Sequence, residues 1–144
     1  MKISKKGQYA LRMMVDIAEH SSNKWIPLKD ISARQDISVK YLEQIVTHLT
    51  RSGLLRSGRG AGGGYMLTRE PDQYTAGEIL RTIEGNLTPV ACLDDEPNQC
   101  ERNSYCKTLN FWHGLQNAIN TYVDSVTLQD MMDSNNMNAW NFSI

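Results

Sequence analysis

Ser38-Val-Lys-Tyr-Leu-Glu-Gln-Ile-Val-Thr-His-Leu-Thr-Arg-Ser-Gly-Leu-Leu-Arg-Ser-Gly-Arg-Gly-Ala-Gly-Gly-Gly-Tyr-Met-Leu-Thr68 changes its periodicity halfway along. In the first half Leu42, Ile45, Val46 and Leu49 recur at helical spacing, which gives one apolar face. Ser38 is a favourable N-cap, and Gly53 is placed to end the helix at about Ser52. In the second half Leu54–Ser57 and Tyr65–Thr68 read as short strands around a glycine-rich tip, Gly58–Gly64. Upstream, Pro27 sits at a first-turn position of a short helix, Leu28–Arg34, and Gln35, Asp36 and Ile37 form a tight turn. Two short helices joined by a three-residue turn, then a basic hairpin, make a winged helix-turn-helix.

The glycine run has a competing reading. Gly58-x-Gly60-x-x-Gly63 matches the dinucleotide-binding fingerprint letter for letter. That fingerprint works only after a strand and at the opening of a helix, where the phosphate meets the helix N-terminus. Here a strand-like segment follows, so a hairpin tip is the better reading.

Outward from this module, residues 5–20 carry Ala10, Met13, Met14, Ile17 and Ala18 at helical spacing, and Ser21, Ser22 and Asn23 end that helix. On the other side, Thr75-Ala-Gly-Glu78 is a capping box that opens a helix ending at Gly85. Residues 86–106 show no periodicity. Helical spacing returns with Leu109, Trp112, Leu115, Ile119, Tyr122 and Val126, a narrow apolar stripe that needs a partner surface. A second copy of the chain is the simplest partner, and a two-fold dimer suits a palindromic DNA operator. Leu128, Met131 and Met132 suggest a last short helical turn, followed by a tail from Ser134 to Ile144 with isolated Trp140 and Phe142. The expected fold class is mainly α with a small β-hairpin: a winged helix-turn-helix plus a long C-terminal dimerisation helix. The expected parts are 1–85 for the DNA-binding domain, 86–106 for a cysteine-bearing sensor loop, 107–133 for the dimerisation helix and short helix, and 134–144 for the tail.

Composition agrees once the chain is divided. The 144 residues carry a net charge of -1. Residues 1–69 hold twelve Lys and Arg against five acids, +7, whereas residues 70–144 hold three against eleven, -8. A basic module facing a polyanion is the natural reading of the first part. No apolar run reaches the ~20 residues of a membrane span. Arg12 and Asp16 interrupt the stretch after the N-terminal lysines, and no signal-type cleavage site follows, so a cytoplasmic protein is expected, on the nucleoid when bound to DNA.

Position then assigns the DNA chemistry. The N-terminal residues of a recognition helix face base edges in the major groove; here these are Val39, Lys40, Tyr41, Glu43 and Gln44. Glutamine can pair with adenine through two hydrogen bonds, and glutamate can accept from the cytosine amino group. Arg51 and Arg56 suit phosphates. Arg59, next to Gly60 on the tip, can reach a minor groove. Ser4, Lys5 and Lys6 lie at the first helix's start, where phosphate is favoured. Paired acid/base residues for catalysis are not found, so neither an enzyme nor a small-molecule substrate is expected.

The acidic half holds all three cysteines, Cys92, Cys100 and Cys106, among Asp94, Asp95, Glu96 and Glu101. Thiolates suit iron–sulfur clusters and zinc. Neither gap fits the C-x2-4-C spacing common in zinc knuckles, and no C-x-x-C redox pair is present. An iron–sulfur cluster is favoured; zinc, a thiol redox switch and incidental cysteines stay open.

Three stretches carry a family resemblance: Met1-Lys-Ile-Ser-Lys-Lys-Gly-Gln-Tyr-Ala-Leu-Arg, Ile37-Ser-Val-Lys-Tyr-Leu-Glu-Gln-Ile, and Gly53-Leu-Leu-Arg-Ser-Gly-Arg-Gly-Ala-Gly-Gly-Gly-Tyr-Met-Leu. With Asp124-Ser-Val-Thr-Leu-Gln-Asp-Met, they make the chain resemble winged-helix transcription regulators of the IscR, NsrR and CymR type. The match is closest to the IscR-like iron–sulfur branch in the recognition helix and wing. The resemblance implies a homodimeric bacterial regulator, mostly a repressor, on double-stranded DNA. It implies a cluster on Cys92, Cys100 and Cys106, two-iron two-sulfur favoured and four-iron four-sulfur possible, that senses iron–sulfur status, redox state or nitric oxide. The alternative is the cluster-free branch, a regulator of cysteine metabolism gated by a partner protein or by thiol oxidation. The chain departs from the IscR-like pattern in its seven-residue first gap and in Leu109, where those members place a histidine. Leucine cannot ligate metal. Members that use a carboxylate from the partner's first helix have it where this chain has Gln8. The fourth ligand is therefore His113 or a loop carboxylate.

Overall fold

The computed structural model describes residues 2–94, 101, 102 and 104–135. Helix α1, Lys5–His20, starts where Ser4 Oγ accepts from the Gly7 N–H at 3.1 Å. Its Ala10, Met13, Met14 and Ile17 are buried, as their spacing predicts. Helix α2, Leu28–Gln35, extends one residue beyond the expected end, and Pro27 is its N-cap rather than its first turn. Asp36 then adopts the left-handed conformation (φ 55°), and its N–H reaches the Ser32 carbonyl. That single turn redirects the chain into α3, Val39–Arg51, where Ser38 Oγ accepts from the Tyr41 N–H at 3.1 Å. Leu42, Ile45, Val46 and Leu49 all point into the core.

The hairpin pairs β1, Leu55–Gly58, antiparallel with β2, Gly64–Leu67. Both strands sit one residue nearer the tip than the sequence suggests. At one end, the Leu54 N–H is taken by the Leu49 carbonyl as α3 terminates. At the other, the Thr68 N–H donates to the Tyr74 hydroxyl at 2.9 Å, and the Thr68 hydroxyl donates to the Gly53 carbonyl at 2.8 Å. Local caps thus remove both terminal residues from the ladder. Ile26 flanks β2 in turn: its N–H and carbonyl both pair with Tyr65 at 2.9 Å. The wing is thereby tied to the segment between α1 and α2.

Helix α4, Ala76–Glu84, begins at the expected Thr75, whose hydroxyl accepts from the Glu78 N–H at 3.0 Å. The reciprocal half of the capping box does not form. The Glu78 carboxylate accepts instead from both terminal nitrogens of Arg69 at 2.8 Å, because a charged partner outweighs a backbone N–H. Tyr74, fully buried, accepts from the Thr68 and Arg69 N–H groups and donates to the Leu54 carbonyl at 2.8 Å. It joins the wing's root to α4.

Helix α5, Leu109–Ser125, ends one residue before the expected stripe does. Val126 is extended and buried, and its carbonyl accepts from the Ala76 N–H at 2.8 Å. Helix α6, Leu128–Met132, opens with a capping box between Thr127 and Asp130. Leu128 is fully buried in the cluster that holds Met13, Ile17, Ile31, Leu42, Ile45 and Ile79, so the chain returns to the core it left at Gly85. Among the described residues no helix is long and apolar enough to cross a membrane.

One acid lies in this core. Asp16 has no exposure; it accepts from Arg34 Nη2 at 2.7 Å, Arg34 Nε at 3.0 Å and Gln35 Nε2 at 3.0 Å. The pair fixes α1 against α2, and so fixes the turn that aims α3.

Candidate DNA-binding face and thiol loop

The four residues that α3 keeps out of the core at its start are Val39, Lys40, Glu43 and Gln44, all exposed. Helical spacing makes this automatic: burying 42, 45, 46 and 49 turns 39, 40, 43 and 44 outward. Tyr41 divides its surface. Its ring packs edge-on against Tyr9, with centroids 5.5 Å apart, while one side lines an open cleft of 320 Å³ with Lys6, Ser38, Lys40 and Gln44. Tyr41 is therefore more a wall of the site than a free probe. Lys5 is exposed at the first turn of α1. Lys6, expected with Lys5 at the phosphate-favoured start of the first helix, lines this cleft beside Lys40 and Gln44.

Arg51 is exposed near the other end of α3. With Val46, Thr47, Thr50, Ser57 and Tyr65 it lines a groove of 340 Å³ between α3 and the hairpin. Arg59 and Gly60 lie at the exposed tip, with Gly60 at φ 89°. Arg56 is not brought to this face. Strand alternation places it opposite Ser57 and Tyr65, and its guanidinium lies 5.6 Å from the Trp25 ring centroid. Its expected phosphate role has no support from its orientation.

The basic half also proves less free than its count. Arg34 pairs with Asp16, Arg69 with Glu78, and Arg12 hydrogen-bonds the Gln35 side chain and carbonyl. Lys40, Arg51 and Arg59 form no ion pair among the described residues. The same holds for Lys5, Lys6, Lys24 and Lys29 in the basic half, so the recognition helix and tip share this freedom with the start of α1 and the segment around α2.

The thiol loop begins as a closed turn. Leu87 and Leu93 are buried anchors, and a short 3-10 turn, Ala91–Leu93, carries Cys92 between them. The Asp94 carboxylate accepts from the Thr88 hydroxyl, and its carbonyl accepts from the Asn86 amide at 3.5 Å. Asp94 is thus occupied locally. Cys106 stands just ahead of α5, its sulfur 3.3 Å from the Thr108 hydroxyl. Hydrogen bonds from that hydroxyl, and then from the backbone at the helix start, hold the Cys106 thiol below its ordinary value. Cys92 and Cys106 are both free thiols of intermediate exposure. Glu101 and His113 are exposed. Cys100, Asp95 and Glu96 lie outside the described residues. Among the described residues, three or more His, Cys, Asp or Glu side chains are nowhere gathered as metal ligands.

Helix α5 presents two faces rather than one stripe. Leu109, Trp112 and Ile119 are half-buried, and from α4 Arg81 donates to Asp124 at 2.7 Å and to Asn120 at 2.9 Å. Phe111, Leu115 and Tyr122 face outward, with 63%, 37% and 54% exposure. Phe111 belongs to this outer row, at steps of four and seven, although the sequence reading did not include it.

Comparisons with known proteins agree with this arrangement. Residues 3–134 match the model of the Rrf2 family, described as iron-dependent transcriptional regulators. The HTH-type transcriptional regulator IscR of Aliivibrio salmonicida is 36% identical over 135 residues, 94% of this chain and 79% of that protein. Among solved structures, CymR, the global cysteine regulator of B. subtilis, superposes with a TM-score of 0.77 at 38% identity, covering 93% of this chain and 98% of its own. IscR of T. potens superposes with a TM-score of 0.76 at 33% identity, covering 100% of this chain and 93% of its own. A mainly helical chain with one antiparallel hairpin is the winged-helix architecture of such regulators, which are not enzymes. The chain belongs to the Rrf2 family of transcriptional regulators.

Proposed function

We propose that this regulator binds a palindromic operator in double-stranded DNA as a homodimer, in the cytoplasm, and that an iron–sulfur cluster on its thiol loop sets its affinity. The observation that carries the DNA reading is the exposed row Val39, Lys40, Glu43 and Gln44 beside Arg51 and Arg59, which form no ion pair among the described residues. Glu43 and Gln44 read base edges, Lys5, Lys40 and Arg51 hold phosphates, and Arg59 with Gly60 enters a minor groove. Tyr41 walls the cleft. The outer face of α5 supplies the dimer seam.

Cys92, Cys100 and Cys106 are the cluster ligands in this reading, with His113 or a loop carboxylate as the fourth. Two partly exposed free thiols, one of them held below its ordinary value, fit a soft thiolate donor set. When bound, the cluster supplies one-electron redox chemistry and lability, as a two-iron or four-iron form. Leu87 and Leu93 anchor the loop's first turn next to α4, and Cys106 leads directly into α5. The loop therefore joins the DNA-binding unit to the dimer helix, and its rearrangement would change how two wings are spaced.

A second reading is favoured by Leu109 and by the similarity to the B. subtilis cysteine regulator. It is a cluster-free regulator gated by a partner protein or by thiol oxidation. Anaerobic purification with iron and sulfide analysis decides between the two. Stoichiometric iron and sulfide, lost in Cys92→Ala and Cys106→Ala with the fold intact, is the expected result. A metal-free protein with native operator binding that responds to thiol oxidation overturns the cluster reading.

A further inference from the structure

Trp25 lies between α1 and α2, where its half-buried ring meets the wing at Gly58. A Cβ on Gly58 would stand only 2.6 Å from Trp25 Cδ2 and Cε2, so the ring sits directly on the glycine backbone. The contact is on the hairpin face that carries Arg56, whose guanidinium covers the ring at 5.6 Å. The next residue, Ile26, hydrogen-bonds Tyr65 in both directions at 2.9 Å. Trp25 is therefore fixed to β2 through the backbone and seated on β1 through its ring. Gly58 is the last residue of β1, and Arg59 follows it at the start of the glycine-rich tip.

We infer that Trp25 is a positioning residue for DNA recognition: seated on Gly58, it fixes the root of the wing tip and thereby aims Arg59 into the minor groove. The glycines that make a tip adaptable also leave it without side-chain packing of its own. A rigid aromatic ring at its base restores direction at little entropic cost. An ordered Arg59 binds without first losing the freedom of a loose loop. Arg56, turned away from α3, serves here by covering the ring. The inference rests on the proposed role of Arg59 at the wing tip.

Operator affinity at fixed salt for Trp25→Ala, Arg59→Ala and the double variant tests it. Trp25→Ala should bind about tenfold more weakly, and should cost nothing further in the Arg59→Ala background. Trp25→Phe, which keeps a flat ring on Gly58, should bind close to wild type and guards against a variant that fails to fold. Gly58→Ala should weaken binding beside Trp25 but be tolerated in the Trp25→Ala background, where the space is open. Additive losses in the double variant, or wild-type affinity in folded Trp25→Ala, overturn the inference while leaving Arg59's role standing. Unchanged affinity of Arg59→Ala across salt concentrations removes the wing reading, and the inference with it.

Discussion

The buried carboxylate of Asp16 was visible in the sequence only as an acid interrupting an apolar stretch. It lies three residues after Met13 and two after Met14, on the side of α1 that faces the core. What the sequence did not show was its partner, because Arg34 is eighteen residues away, at the end of a short helix read from Pro27 at its start. The hydrogen bond to Asp16 raises the Arg34 pKa, so the guanidinium stays charged. Asp16→Ala leaves Arg34 and Gln35 without their acceptor. Arg34 is 34% exposed and can turn to water, so the loss should be about 3 kcal/mol, the low end for a broken buried pair. The urea midpoint should fall accordingly, with an unchanged m-value; a midpoint within error of wild type would show that the pair is dispensable. Cys106 gives a second test at this scale. Its lowered pKa means that the thiolate is present at lower pH than in an ordinary cysteine, so its alkylation rate rises at lower pH. Thr108→Val removes the hydroxyl donor and should move the alkylation curve of the cluster-free protein to higher pH. Peptide mass spectrometry of Cys106 reads this directly, and superimposable curves would refute the hydroxyl's role.

At the level of elements, what the sequence made legible followed burial. Helices α1, α3 and α4 were readable because their apolar residues keep a 3.6 period, and α3 and α4 also from Ser38 and Thr75 as caps. The hairpin was readable from glycine and strand composition, but its register slipped by one at each end. The deciding bonds there are a helix-end carbonyl and the Tyr74 hydroxyl, neither of which leaves a periodic mark. The third partner of the wing, Ile26, was equally invisible. Gly64 makes that partnership possible. It adopts φ 149°, and a Cβ there would stand 2.4 Å from the Ile26 carbonyl carbon and oxygen. Gly64→Ala must therefore strain the backbone, at about 1–3 kcal/mol, or separate β2 from Ile26. Amide exchange at Ile26 and Tyr65 should accelerate, and operator binding should weaken because the wing loses its inner support. Protection at both amides equal to wild type would mean that the wing accommodates the methyl without parting from Ile26.

For the molecule as a whole, the net charge of -1 conceals a polarity that the fold arranges in space. Lys40, Arg51 and Arg59 stand at the recognition helix and tip without an ion pair among the described residues, while eleven of the sixteen acids follow residue 69. The stripe on α5 was legible as apolar, but which of its residues face outward was not, because that depends on how α4 docks against it. Arg81, held by Asp124 and Asn120, settles the rotation of α5. It leaves Phe111, Leu115 and Tyr122 on one exposed row, seven residues from Leu115 to Tyr122, which is two turns. A row of this kind on a lone protomer exposes three large apolar side chains to water, and the proposed pairing with a second copy about a two-fold axis would bury them. Leu115→Glu places a charge at the middle of that row without touching the Arg81 anchor, so the protomer should keep its helical circular dichroism. Removing a central apolar anchor costs about 2 kcal/mol or more, and an unpaired charge adds to it. Sedimentation at micromolar concentration should then show a monomer. Binding to a single half-site should persist at its weak intrinsic affinity, while binding to the full palindrome should lose the advantage of two linked contacts, on the order of a hundredfold. The pairing of these two results is what tests the seam: a dimer with native palindrome affinity would place the interface elsewhere, and a monomer with undiminished palindrome affinity would show that recognition does not depend on two-fold symmetry.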